Sequence, residues 1–196
     1  MGEREVRVAI CDRDGTLIDV FRDEETGTIQ TAFHPDQVRL LDGVIDGLLL
    51  LQNAGFVLAI ASNQPGPAKG QFSADAVRRT NAALVDLLAK SGIAIARVEV
   101  CMHHPSVGPC ACRKPAPGML DAILDATGAD RDKSWMIGDA RADLDAGKAA
   151  KVRTGLIFRA DRCELCPLRA GTSAVGAVPD VSGPTLDVVA RAILAC

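Results

Sequence analysis

Five short apolar runs, at residues 6–11, 56–61, 98–101, 135–137 and 155–158, punctuate this chain with little of the polar alternation of a half-exposed strand. A strand without a polar face has to be covered on both sides. The segments between the runs supply the cover. Val44, Leu48 and Leu51 lie on one helical stripe, and Val77, Leu84 and Leu88 on a second. Leu120, Ile123, Leu124 and Thr127 form a third, and Leu186, Val189, Ala190 and Ile193 a fourth. Ser73 reads as the N-cap of the second helix with Asp75 in its first turn, and Gly128 as the stop of the third. Buried strands alternating with helices predict an α/β fold: a mostly parallel sheet with helices on both faces.

Ligands in open α/β sheets bind outside the carboxyl ends of the strands, so the residues that follow each run are the candidates for chemistry. The first run ends in Cys11-Asp12-Arg13-Asp14-Gly15-Thr16. Two carboxylates at i and i+2 can hold a hard cation such as Mg²⁺, which takes one or two carboxylates together with phosphate and water. The first aspartate can instead attack phosphorus, with the second as general acid and base. A plain polar turn has the same composition. Ser62 and Asn63 follow the second run, where a hydroxyl and backbone N–H groups can hold phosphoryl oxygens. Lys114 offers a cation to neutralise phosphate and an attacking carboxylate. Asp139 follows the fourth run and completes a carboxylate set for a metal. Asp143, one helical turn on, can orient Lys114 or the metal shell, while Asp145 reads as a solvated first-turn residue.

Cys101, His103, Cys110 and Cys112 place four soft or borderline ligands within twelve positions, a loop spanning residues 101–112. Three thiolates and an imidazole suit a closed, structural, tetrahedral Zn²⁺ site. Zinc there would stiffen the loop that leads directly into Arg113 and Lys114. The chain has seven cysteines and no apolar leader at its start, so reduced thiols or metal ligands and a cytoplasmic setting are expected. Cys163 and Cys166 read as plain reduced thiols. A net charge of −3 without a basic run argues against a nucleic-acid partner, and no apolar stretch is long enough to span a bilayer. Residues 161–184 are irregular and read as a long loop. No repeat or linker is visible, so residues 1–196 are expected to form a single domain acting as a monomer.

The ordered set Asp12-Arg13-Asp14-Gly15-Thr16, Ser62, Lys114 and Gly138-Asp139 with Asp143 resembles the four motifs of the haloacid dehalogenase (HAD) superfamily phosphatases, over nearly the whole chain up to about residue 158. The resemblance implies a Rossmann-like fold, with Asp12 as nucleophile and Asp14 as general acid and base. It also implies phosphate bound by Thr16, Ser62 and Lys114, and Mg²⁺ held by Asp12, the Asp14 backbone carbonyl and Asp139. The zinc loop and the stretch from Ser62 to Gly70 are similar to the branch that hydrolyses D-glycero-D-manno-heptose 1,7-bisphosphate or histidinol phosphate. That branch implies a Mg²⁺-dependent sugar-phosphate phosphatase serving heptose precursors of surface glycans, with histidinol phosphate as the alternative substrate. Within it Asn63, Arg113 and Lys114 contact substrate and Lys69 stands at a basic position. Two features depart from the pattern. Ala140 replaces the basic residue expected after Asp139, leaving Arg141 to substitute, and residues 19–33 are longer and more acidic than the family leads one to expect. The intervals from Thr16 to residue 56 and from Ser62 to Lys114 are too short for a cap domain, so an open site is expected. A non-catalytic zinc-dependent binding module is the rival reading, and it leaves Asp12 and Asp14 without a purpose.

Overall fold

The structure is a computed structural model that describes residues 5–22, 29–108, 110–158 and 177–196. The first half runs β1 (Arg7–Cys11), β2 (Phe21–Arg22), β3 (Ile29–Gln30), α1 (Val44–Asn53), β4 (Phe56–Asn63) and α2 (Ala74–Ala89). The second half runs β5 (Ile95–Cys101), α3 (Gly118–Thr127), β6 (Trp135–Gly138), α4 (Arg141–Ala149), β7 (Arg153–Ile157), β8 (Val181–Gly183) and α5 (Leu186–Leu194). Six strands pair in the order β5-β4-β1-β6-β7-β8, every neighbour parallel, as the unalternating apolar runs predict.

The two-residue period of β1 builds both cores at once. Ala9 and Cys11 face one cluster with Val44, Leu48, Leu84, Leu88 and Val189, so α1, α2 and α5 cover that side. Val8 and Ile10 face the other, with Leu120, Ile123, Leu124 and Ala146 of α3 and α4. The caps follow the sequence reading. Ser73 Oγ accepts from the Ala76 N–H, and Gly128 ends α3 in the left-handed region at φ 62°.

The chain order positions the site. From β1 the chain moves outward to β4 and β5, then crosses back to β6 on the other flank of β1. Direction therefore reverses at β1, and the crevice beyond the carboxyl ends of β4, β1 and β6 is the switch point where ligands of open α/β sheets bind. Cys11 is in register with Ile60 on one side and Ile137 on the other. Asp12, the Ser62-Asn63 pair and Asp139 consequently leave the sheet at nearly the same level.

Two short pieces escaped the sequence reading. Residues 161–184 were expected to form a loop throughout, yet Val181–Gly183 pair with β7 as a sixth strand. Asp180 fixes that strand by accepting from the Thr154 N–H at 2.7 Å, the Thr154 hydroxyl at 2.9 Å and Lys148 Nζ at 2.6 Å. Three residues ending in Ser182 and Gly183 carry no apolar period, so only this tertiary anchoring reveals the strand. Cys163 and Cys166 lie outside the described residues. The acidic segment contains the antiparallel pair β2-β3, two residues a side. Between β1 and β4 the described residues thus form this pair, a 3-10 turn and α1, with no further layer above the sheet edge. Among the described residues, no helix is long and apolar enough to cross a membrane.

Candidate active site

A cavity of about 230 Å³ opens at the switch point, lined by Asp12, Asp14, Ser62, Asn63, Lys114 and Asp139 among others. Lys114 is its hub. Only 3% exposed, its ammonium donates to Asp12 Oδ1 at 2.5 Å, Asp143 Oδ1 at 2.6 Å and the Ala61 carbonyl at 2.7 Å. Those three acceptors use all its protons. Asn63 holds the lysine's backbone from both ends: its amide donates to the Lys114 carbonyl at 2.9 Å and accepts from the Lys114 N–H at 3.1 Å. Asp143 reaches back from the first turn of α4, where its other oxygen caps the Ala140 N–H at 3.0 Å.

Two glycines let the carboxylates crowd together. Gly15 sits at φ 85°, and a Cβ there would lie 2.1 Å from Asp139 Oδ2. A Cβ on Gly138 would lie 2.3 Å from the Asp143 carboxyl carbon. Any side chain at either position would displace an acid from the cavity. Asp12, Asp139 and Asp143 each offer an oxygen within 4.8 Å of the others. Burial pushes Asp12 up to about 7, against the pull of Lys114 and with Asp143 and Asp14 adding to the rise. Burial, with Asp12 and Asp143 beside it, pushes Asp139 up to about 8. One lysine does not balance this many acids in so small a space, and a hard divalent cation does. Asp12 and Asp139 therefore fit Mg²⁺ by their chemistry and by the charge they leave uncompensated.

The Cys/His tetrad assembles beside this cavity. His103 Nδ1 lies 3.1 Å from Cys110 Sγ, 3.2 Å from Cys112 Sγ and 3.6 Å from Cys101 Sγ. The Cys110 sulfur is 3.2 Å from that of Cys112 and 3.6 Å from that of Cys101. Ligands on a tetrahedron with bonds of about 2.1–2.3 Å stand roughly 3.4–3.8 Å apart. Hydrogen bonds led by Cys112 draw the Cys110 thiol down to about 6, while burial pushes Cys112 up to about 12. Thiols pressed this closely cannot all ionise unless a cation sits among them. The four residues fit a closed Zn²⁺ site, as their spacing predicted.

Residues 111–160 match the HAD-hydrolase-like family model. The D-glycero-beta-D-manno-heptose-1,7-bisphosphate 7-phosphatase of Pseudomonas aeruginosa is 33% identical over 148 residues, covering 76% of this chain and 79% of that one. The chain belongs to the HAD phosphatase family. The bifunctional histidine biosynthesis protein HisB of Legionella pneumophila is 34% identical over 137 residues, 70% of this chain. The match spans only 37% of that relative's length. Among solved structures, the D,D-heptose 1,7-bisphosphate phosphatase of B. bronchiseptica, complexed with magnesium and phosphate, aligns with a TM-score of 0.77 at 28% identity. That alignment covers 97% of this chain and 99% of the other.

In this HAD phosphatase the remaining expected residues divide. Thr16 is buried, its hydroxyl has no hydrogen-bond partner, and it does not line the first cavity. Arg113 faces a second cavity of about 320 Å³, lined also by His104, Cys110, Lys114 and Pro115. One terminal nitrogen of its guanidinium is buried without a hydrogen-bond partner. Lys114 lines both cavities, so the two adjoin there. Lys69 is exposed in the turn after β4 and does not line the first cavity. Arg141 does not line it either; its guanidinium lies 3.0 Å from Asp145 on the same helix, and Ala140 and Ala142 line the wall instead. Asp145, expected to be merely solvated, is that arginine's partner.

Sequence reasoning missed two polar residues that this phosphatase buries completely. Arg13 and Gln64 are each 0% exposed, and both donate to the Asp14 carboxylate. The one available signal was an arginine set between two aspartates at the end of a buried strand, where a charge needs partners.

Proposed function

We propose that this phosphatase removes the 7-phosphate of D-glycero-D-manno-heptose 1,7-bisphosphate through a covalent phosphoryl-Asp12. The observation that carries the reading is the pair of cavities meeting at Lys114. The first gathers the nucleophile, lysine and carboxylates. The second is lined by Arg113, a cation for a second phosphate. The relatives named for this reaction match along most of their length as well as most of this chain, which supports the same substrate class. We also read residues 1–196 as one catalytic domain, acting as a monomer on a small-molecule substrate without nucleic-acid or membrane partners. The unpaired thiols of the zinc tetrad suit a reducing, cytoplasmic compartment.

An oxygen of Asp12 attacks phosphorus as the bond to the leaving oxygen breaks, and Asp14 delivers a proton to the departing alkoxide. Lys114 holds Asp12 in place and brings its positive charge to the first cavity, where Ser62 offers a hydroxyl donor; Thr16, assigned to phosphate by resemblance, is buried outside the lining. Asp14 then takes a proton from water, whose oxygen attacks the phosphoryl-aspartate, and the Asp12–phosphorus bond breaks to release phosphate. Mg²⁺ held by Asp12, Asp139 and the Asp14 carbonyl supplies positive charge for the transferring group. Asn63, assigned to substrate by resemblance, lines the first cavity, and its bonds to the Lys114 backbone leave one amide proton over for substrate. In this reading Lys69 and Arg141 stand at the approach to the site rather than on the phosphate being transferred.

Rates on heptose 1,7-bisphosphate, heptose monophosphates and histidinol phosphate, with Mg²⁺ added and withheld, test the assignment. The bisphosphate should lead in kcat/KM by about 10–100-fold, the worth of one charge-assisted hydrogen bond to the Arg113 guanidinium. A preference for histidinol phosphate would overturn the substrate.

The raised carboxylates also fix a pH dependence. Without a divalent cation, Asp12 and Asp139 retain protons in the folded chain, up to about 7 and about 8, that an unfolded aspartate loses near 3.8. The native state then binds more protons than the unfolded one, so these two groups make stability fall as pH rises from about 4 to about 8. Mg²⁺ needs the ionised forms. The gain in Tm on adding Mg²⁺ should therefore be larger at about pH 8 than at about pH 5.5. A thermal-shift series giving equal gains at both would contradict the carboxylate cluster as the ion's site.

A further inference from the structure

We infer that Gln64 and Arg13 are positioning residues that fix the Asp14 carboxylate for proton transfer, an inference that rests on Asp14 as the general acid and base. Gln64 Nε2 donates to Asp14 Oδ2 at 2.6 Å and to Ser62 Oγ at 2.8 Å. Its Oε1 accepts from the Thr31 hydroxyl at 3.1 Å. Flipping the amide would set oxygen against a carboxylate, so Nε2 has to face Asp14. The backbone of Gln64 is fixed as well, its N–H donating to the Cys101 carbonyl at 2.7 Å. Arg13 grips the same carboxylate from its other side: Nε reaches Oδ2 and a terminal nitrogen reaches Oδ1, both at 3.1 Å.

Three further acceptors anchor the grip. Arg13 also donates to Asn81 Oδ1 of α2 at 2.7 Å, to Thr31 Oγ1 at 2.6 Å and to the Ala32 carbonyl at 2.9 Å. The Thr31 hydroxyl accepts from Arg13 while donating to Gln64, joining the two grips just past β3. Asp14 therefore receives donors at both oxygens, from side chains that are themselves buried and held by further partners. An aspartate on a loop after a strand otherwise turns freely about two torsions. A proton donor must lie within hydrogen-bond reach of its target, and a misplacement of about 1 Å costs about 10²-fold. Neither Gln64 nor Arg13 lines the first cavity, so each acts through what it holds, Arg13 through Asp14 and Gln64 through Asp14 and Ser62.

The test separates acid placement from general damage by changing the leaving group. A sugar alkoxide needs a proton as it departs, whereas the nitrophenolate of p-nitrophenyl phosphate departs without one. The parameter kcat/KM stops at loss of that group and so isolates the first transfer. Gln64→Met keeps the length and removes the donor. It should lower kcat/KM on a sugar phosphate by about 10–100-fold, while p-nitrophenyl phosphate loses less than about threefold. Equal losses on both substrates, or none on either, would overturn the inference. Should Gln64→Met fail to fold, Thr31→Val decides by the same ratio, because it removes the hydroxyl that joins the grips and leaves both donors. Asp14→Asn, measured alongside, separates the two layers of the argument. If Asp14→Asn is selective for the alkyl substrate and Gln64→Met is not, the positioning role falls and the acid assignment stands. If Asp14→Asn is not selective, both fall.

Discussion

Asp12→Asn is expected to lower kcat by at least about 10⁴-fold, the scale on which removing a nucleophile is felt, while leaving the fold intact. A carboxamide of the same shape does not attack phosphorus. The backbone of residue 12 is held independently of its side chain, its N–H donating to the Ile137 carbonyl at 2.8 Å. Lys114 keeps Asp143 and the Ala61 carbonyl as acceptors, and an asparagine oxygen can still receive its third proton. The substitution also removes one of the crowded acids. Because burial makes ionised Asp12 costly, the cation-free variant should be at least as stable as the parent near pH 8. Two readouts check this: intact-mass analysis, which should show no phosphorylated protein, and a denaturant midpoint. A kcat within tenfold of the parent would remove Asp12 from the nucleophile's role.

Lys114→Met carries the next largest effect, and on both stability and rate. The ammonium stands between two buried carboxylates, and removing one partner of such an arrangement costs about 3–5 kcal/mol because the charges left behind have no counterion. Asp12, which burial already pushes up to about 7, escapes that penalty by taking up a proton. The loss should therefore be largest at neutral and alkaline pH and shrink as acid is added, which denaturant melts across a pH series will record. Turnover should fall by at least about 10³-fold, since an electrostatic partner of the transferring group disappears together with the order of the nucleophile. Lys114→Arg should not restore it, because a planar fork cannot replace a compact point charge among three acceptors that converge within 2.7 Å. Stability within about 1 kcal/mol of the parent would show that the lysine is dispensable to the buried acids.

The sequence made part of this legible. Asp12, Ser62 and Asp139 were visible because an apolar run that stops at a polar residue marks a strand tip, and tips on adjacent strands must meet. The Cys/His tetrad was visible because metal ligation compresses its partners into a short stretch. Lys114 is different: it lies 102 residues from Asp12, and its charge alone suggested that it would neutralise phosphate and an attacking carboxylate, since it follows no apolar run that marks a strand tip. Arg13 and Gln64 were passed over because their partners are remote, Asn81 being 68 residues from Arg13 and Asp14 being 50 from Gln64. Non-local hydrogen bonds between buried polar groups leave no periodicity to read. The same holds for Val181–Gly183, whose strand depends on Asp180 finding Thr154. Arg141 shows the reverse limit. Its position after Asp139 suggested the cavity, but at the start of α4 an acid one helical turn on is a nearer partner.

At Gly15 the loops after β1 and β6 touch with no side chain between them, a carboxylate of Asp139 occupying the place of the absent Cβ. The carboxylate thus stands directly against the main chain of the loop after β1. Calcium asks for more oxygens at about 2.3–2.6 Å, where magnesium is content at about 2.0–2.1 Å. A side chain at position 15 would move one of the two acids that fit Mg²⁺, and with it the oxygen spacing on which a preference for the smaller ion depends.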